Sequence, residues 1–574
     1  MSDTLLAFLL RTRLNTSGQL PGSDAHQDKR NAKIPEPRGF RAVFKSIGTC
    51  NLPIMKPTDD LFQLIHSLSK SEKGYFKKFC AIHAPGQERS YLKLFQAIAR
   101  QETYNEAALK QSLQEESFLH YLSTAKNYLH SLILKSLRSY NEGADVDELL
   151  LTQLRDFEIL FSKGLFQQCS KVLRKAQSLA AKHDRHLLLL QAYKLQVKLN
   201  ESQPSEEKHR QISEENYKSQ QKLIQEYSEL IEYQKLLNDF ISYSNILGGT
   251  TRKKEHVLML DQIIEAPPLQ RNEQELPFRS RIIYYYCWGL YHHLQSDFTK
   301  AYKVQVRCRD FLNAHPEKKK EAAESYAGIL NNLINTLLAL EEYEESYAVL
   351  QEYKKLESRS LQMQVRVFQV SSLTELFLAE ATGEFEKGIA AIPQIEQRLK
   401  EYKGKLNKIN ELIIYFNIST LYFAAGEFSK SLFWRNKLVA NCDPTVREDI
   451  FCASKILNLV NHFELGNTDI LEYVLRSTYR YLYQKKRIYN HEKLILVFIR
   501  KLCDITTNQE LKELFTGLKK ALIDLQQDPY EKSPFYFDLI SWLESKITQT
   551  PFRAIVQEKI RNKRKAGTLP PVEA

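Results

Sequence analysis

A short phrase recurs along this 574-residue chain at nearly constant spacing, and no other feature limits the possible folds as strongly. One copy reads YFNISTLYFAAGEFSKSLFW, residues 415–434, with Gly426 at its centre and Phe428 two residues later. Related copies are LFSKGLFQQCSKVL, with Gly164 and Phe166; HLQSDFTKAYKV, with Phe298; LALEEYEESYAVL, with Tyr343; AEATGEFEKGIAAI, with Gly383 and Phe385; and FELGNTDILEYVL, with Gly466. Phe298, Tyr343, Phe385 and Phe428 follow one another at 45, 42 and 43 residues, and Gly426 to Gly466 is 40. A fixed period in this range marks a stack of supersecondary units that bury their apolar faces against their neighbours.

Each unit reads as two helices. Before Gly426, the residues Ile414, Tyr415, Ile418, Leu421 and Tyr422 have helical spacing; after it, so do Phe428, Leu432, Leu438 and Val439. A glycine at that junction takes the left-handed conformation that ends a helix, at no Cβ cost, and Phe428 packs back on the helix just finished. Only 19 Gly and 18 Pro occur in the whole chain, and no sustained run of period two is present. The predicted fold is all-α: a right-handed superhelical solenoid of antiparallel helix pairs with a helical N-terminal region.

The phrase resembles the tetratricopeptide repeat, whose pattern is Trp-x2-Leu-Gly-x2-Tyr, a turn, Ala-x3-Phe and then Pro. In the Gly426 unit, Tyr415, Ile418 and Tyr422 match the first helix, Ser419 takes the small-residue slot, Ser431 the Ala slot, and Pro444 ends the unit. In an earlier unit Tyr285, Trp288, Gly289 and Ala301 match. The second-helix aromatic is replaced by Arg435 in one unit and Gln305 in the other, and the period exceeds that family's 34, so the likeness is tetratricopeptide-like, over about 150–510. The N-terminal stretches LFQLIHSLSKSEKGYFKKF, YLKLFQAIARQETYNEAALKQSL and LSTAKNYLHSLILKSLRSY resemble an uncharacterised family of helical-repeat proteins from Bacteroidota. That second resemblance implies no known activity and favours a translation start at Met55.

The chain divides by composition. Residues 1–54 hold four Gly, four Pro and no helical period, and read as a disordered extension or a mis-called start before Met55. Residues 55–140 form a helical N-terminal region. In it, Ser69 and Glu72 make a capping box, and Phe118, Leu122, Ala125, Leu129, Leu132, Ser136 and Tyr140 form one stripe. Residues 141–250 hold helical hairpins and one long helix, 205–247, then comes a tetratricopeptide-like solenoid over 251–555, and 556–574 reads as a basic disordered tail.

The chemistry of catalysis is hard to find. Net charge is +12, but residues 1–54 and 557–574 contribute +4 and +3, so the 502 residues between are nearly balanced and imply no broad phosphate-binding surface. The eight cysteines form no Cys-x-x-Cys and read as reduced, packed thiols. No apolar run nears the roughly 20 residues of a membrane span, and the expected location is cytoplasmic. ILGGTTRKKE (246–255) lacks the spacing of a phosphate-binding loop, so Gly248 and Gly249 are expected to end the long helix. His183 with His186, and His292 with His293, have no third metal ligand in view. No catalytic residue, cofactor or metal is assigned.

What remains is recognition. First helices of a solenoid line its concave face, where Tyr285, His292, Asn332, Asn335 and Asn417 are the candidates to meet a peptide. A second candidate is RSTYRYLYQKKRIYNHEKL (476–494), where Arg476, Tyr479, Arg480 and Tyr483 interleave aromatic rings with cations. The expected function is that of a non-enzymatic scaffold or adaptor for a protein or peptide. The alternative is a ligand-sensing regulator that contacts DNA or RNA through 55–140 or the 476–494 helix.

Overall fold

The computed structural model describes residues 59–565 apart from 84–87, 115, 142, 144, 203–205, 248–253, 359, 443–447, 485–489, 503–506 and 527–537. The expectations for residues 1–54, Met55, Gly248, Gly249 and Pro444 lie outside the described residues. Two compact units divide the described chain between Ile224 and Gln225. Among the described residues all regular structure is helical.

The first unit holds α1 (Asp60–Ser67), α2 (Lys70–His83), α3 (Glu88–Ala99), α4 (Glu106–Ser112), α5 (Leu122–Tyr140), α6 (Val146–Ser162), α7 (Phe166–Lys182) and α8 (His186–Glu201); α9 (Glu206–Leu247) carries the chain onward. The capping box forms as expected: the Ser69 amide donates to Glu72 Oε2 at 2.7 Å and the Glu72 amide to Ser69 Oγ at 3.2 Å. The stripe on α5 is buried from Leu122 to Ser136, with Phe118 just before it, while Tyr140 stands exposed at the helix end. Phe76, Phe95, Leu129 and Ile133 belong to one apolar cluster; Leu150, Phe157, Leu173, Ala192 and Leu223 belong to another.

The second unit continues with α10 (Lys254–Ile264), α11 (Phe278–Leu294), α12 (Phe298–Asn313), α13 (Pro316–Glu321), α14 (Ala323–Ala339), α15 (Tyr343–Lys354), α16 (Leu361–Thr382), α17 (Phe385–Glu401), α18 (Lys408–Ala424), α19 (Phe428–Asn441), α20 (Glu448–Glu464), α21 (Thr468–Gln484), α22 (Asn490–Leu502), α23 (Asn508–Gln526), α24 (Leu539–Thr548) and α25 (Phe552–Lys565). Helices adjacent in sequence pack on one another as hairpins, and the hairpins pack in turn, consistent with a helical-repeat fold.

The recurring phrase is the turn of these hairpins. Gly426 has φ +79°; its amide donates to Phe423 O at 3.0 Å and the Glu427 amide to Tyr422 O at 2.9 Å. These two bonds satisfy carbonyls that the end of α18 leaves without a helical partner. The same pair of bonds recurs at Gly164, Ser296, Glu341 and Gly466, each with positive φ. The turn therefore persists where the sequence has no glycine: Ser296 (φ 62°) and Glu341 (φ 61°) accept left-handed strain to keep the bonds. Phe428 stacks edge-on against Phe423, as Phe166 does on Phe161 and Phe298 on His293. Five residues after the turn the chain is small in five hairpins out of six (Cys169, Ala301, Ser346, Gly388, Ser431, then Leu471), which lets the two helices approach. At Gly388 a Cβ would lie 2.8 Å from both Ala379 Cβ and Leu421 Cδ1.

The C-terminal segment corrects one expectation. Residues 556–565 are helical rather than disordered, because α25 has an apolar face: Ile555 is buried and Val556 packs on the core. Phe552 stacks edge-on against Phe423, Gln557 Nε2 donates to Gly383 O at 2.9 Å, and Arg553 pairs with Glu386. Next to it on α24, Trp542 Nε1 donates to Glu464 Oε1 at 2.5 Å. The turn ends of three hairpins are thus covered by helices from the end of the chain.

Candidate recognition surface

In the second unit, the inner helices α14, α16, α18 and α20 are buried on nearly every side. On α18 each residue from Leu412 through Ala424 is buried. A helix without an exposed face has apolar residues all round, and ISTLYF in α18 and GIL in α14 read that way. The polar residues on these helices are buried with the rest. Ser419 Oγ donates to Ser431 O at 3.0 Å across the hairpin, and Gln369 Nε2 donates to Asn407 O at 3.0 Å while the Asn407 amide donates back to Gln369 Oε1. Asn331 and Asn335 lie one turn apart on α14, with side-chain amides that bond to no other protein group.

This burial relocates the expected surface. Tyr285, Asn335 and Asn417 are core residues with 4% exposure or less, so they do not line an open face. Tyr285 packs beside Phe311, and its hydroxyl accepts a bond from Arg281 Nε at 3.0 Å. His292 and Asn332 are half-buried. The reason is that each inner helix is flanked by its own outer partner and by the inner helices of the next units, which together close over most of its surface. Of the neighbouring pair, His293 is buried against Phe298, and burial pushes its imidazole down to about 3. His292 stays beside Trp288 and Tyr291, its imidazole lowered by partial burial. No group of His, Cys, Asp and Glu able to hold a metal occurs among the described residues, and the six described cysteines are buried thiols.

The slot nine residues after each turn explains the two departures from the repeat pattern. It holds Leu173, Leu350, Ile392 and Leu475 in four hairpins, and all are buried. In the other two it holds Gln305, which lies over Gly289, and Arg435. Arg435 is fully buried, its three guanidinium nitrogens make no hydrogen bond, and it sits 5.3 Å above the Phe416 ring. Burial lowers its pKa to about 9, against the opposing field of Glu380. At neutral pH it remains a buried cation.

Exposed recognition chemistry gathers instead on an outer helix. On α21, Leu471, Leu475 and Thr478 face the core, which turns Tyr473, Arg476 and Arg480 the opposite way. Tyr473 is 76% exposed and Tyr479, on the flank, 52%. Arg476 pairs with Glu472 one turn earlier. The side chain of Tyr483 lies outside the described residues. Sequence reasoning passed over Tyr473 and Ile470, although the Leu471–Leu475–Thr478 spacing alone places Tyr473 outward. Among the described residues no helix is long and apolar enough to cross a membrane. No family model matches the chain, and no curated protein matches it.

Proposed function

We propose that this protein is a non-enzymatic scaffold that holds an acidic protein or peptide segment on the outward face of α21. The observation that carries this reading is the row Tyr473, Arg476 and Arg480, at i, i+3 and i+7, exposed on the face opposite the buried stripe. Tyrosine offers a large contact area with few rotors to freeze, and arginine engages carboxylates with two parallel bonds. Such a row favours a protein over a nucleic acid, because Glu472 and Asp469 share the helix and dilute its positive charge. The tetratricopeptide-like relationship, the right-handed winding of the helix pairs and the cytoplasmic setting belong to the same proposal; the hairpin turns and the small residues at the helix contacts support the first.

Photo-crosslinking tests it. A benzophenone amino acid replaces Tyr473 in the full chain, with Lys303, the corresponding outward position of α12, as control. The expected result is a discrete protein adduct from position 473 alone, reduced at least about tenfold when Arg476→Glu and Arg480→Glu are added. Adducts only to nucleic acid, or equal labelling from both positions, would overturn the reading.

A further inference from the structure

The outward face of α7 carries charge that the fold itself does not call for. Residues 159–183 hold five Lys/Arg and no Asp or Glu, a net +5 that equals the sum over the 502 residues between the two basic ends. Four of the five lie on α7. Cys169, Leu173, Ala176 and Ala180 form its buried face, and Lys171, Arg174, Lys175 and Lys182 are exposed on the opposite one. Among the described residues none of these four pairs with an acid; the nearest acid before them, Glu158, is held by Lys198 at 2.9 Å. Lys182 lies in the last turn, where the helix dipole favours a cation. The other three sit in mid-helix, with Lys171 three residues from Arg174 and four from Lys175. Like charges at those spacings repel and weaken a helix. Folding loses by this arrangement, and binding of an anionic partner gains.

The rest of the face selects the partner. Its remaining exposed residues are glutamine, serine and alanine. It has none of the aromatic anchors that α21 offers a protein, and no large apolar side chain to insert into a membrane surface. Single-stranded nucleic acid is held largely by bases stacked on aromatic rings, which this face also lacks. A double helix needs none of these, because its bases stack inside and its phosphates face outward. Duplex RNA is read through 2′-hydroxyls across its wide minor groove, for which long cationic side chains on one helix are poorly placed. Lys171 and Lys182 stand about 16 Å apart along the α7 axis, a length over which one strand of B-form DNA presents about five phosphates. We infer that the outward face of α7 lies along the phosphate backbone of double-stranded DNA and holds it by charge, without reading its sequence.

Fluorescence anisotropy tests this, with the full chain titrated into a labelled DNA duplex of about 20 base pairs at about 50 to 200 mM NaCl. The expected result is binding that weakens steeply with salt and is alike for duplexes of unrelated sequence. Lys171→Gln with Lys175→Gln should lower the slope of log affinity against log salt by about two and weaken binding at least about tenfold at the low-salt end. Lys218→Gln with Lys222→Gln removes the same charge from exposed positions on α9 and should change neither. Circular dichroism should be the same for all variants. Absence of binding up to about 100 μM chain, binding that the α7 variant leaves unchanged, or equal weakening by both variants would each overturn the inference. Tighter binding to single-stranded DNA, duplex RNA or phosphatidylserine vesicles would do the same. The α7 variant should keep the crosslink from position 473, so failure of either proposal leaves the other standing.

Discussion

The hairpins α11–α12 and α18–α19 are built on the same turn yet filled differently. Around Ser296 and Gly426 the backbone bonds are the same to within 0.1 Å. Three residues before the turn, one has His293 and the other Phe423, and each stacks on the aromatic ring that opens the following helix. Seven before it, Gly289 lies under Gln305 in one, and Ser419 bonds to Ser431 in the other. Nine after it, Gln305 and Arg435 fill a slot that is apolar elsewhere. The frame thus depends on backbone hydrogen bonds and on close helix approach, and it tolerates polar and even charged side chains where geometry, rather than chemistry, is met.

The largest expected break between the two hairpins comes with acid. His293 is neutral when folded, its pKa pushed from 6.5 to about 3 by burial. Below pH 6.5 the unfolded chain takes up a proton that the folded chain refuses until about pH 3. Stability therefore falls as pH drops through that window, by up to about 1.4 kcal/mol per pH unit, and is flat above it. His293→Phe, which copies the Phe423 hairpin, should remove this limb from denaturation midpoints measured between pH 4 and 7. An unchanged acid limb would show that His293 is not held neutral.

Next comes the interior slot. Arg435→Leu, copying Leu350 and Leu475, should raise stability by about 1–4 kcal/mol, since a buried cation without hydrogen bonds gives way to a packed side chain. Gln305→Leu should gain less, about 1 kcal/mol, because only its buried carbonyl oxygen lacks a partner. Urea denaturation of the full chain measures both; a loss on Arg435→Leu would mean that the guanidinium has a favourable role. The smallest effects are at the turn. Gly426→Ala meets no atom within 4 Å, so its cost of about 1 kcal/mol is conformational alone. Ser296→Gly should relieve the same strain and gain about 0.5 kcal/mol, net of the added freedom of the unfolded chain. Shifts of opposite sign would establish that one backbone conformation is shared.

Much of this frame was legible before any coordinates. The glycine turns, the aromatic two residues on, the capping box at Ser69 and Glu72 and the span of α9 all depend on interactions within about five residues, which a sequence displays directly. Ser296 and Glu341 were harder to see, because neither residue type advertises a left-handed conformation; the spacing of Phe298 and Tyr343 carried them. The surface was misjudged at Tyr285, Asn335 and Asn417. Amides on an inner helix look ready for a peptide, but whether they meet water depends on how tightly other helices close around them.

What the sequence by itself determined is the hairpin and its repetition, since local hydrogen bonds and helical periodicity are properties of adjacent residues. Only the tertiary structure decided which faces remain open. Burial is a sum over neighbours from distant parts of the chain: α25 reaches the turn at Gly383 from 174 residues away through Gln557, and α14, α16, α18 and α20 cover one another. Asn417 is buried because of contacts that no stretch of the sequence contains.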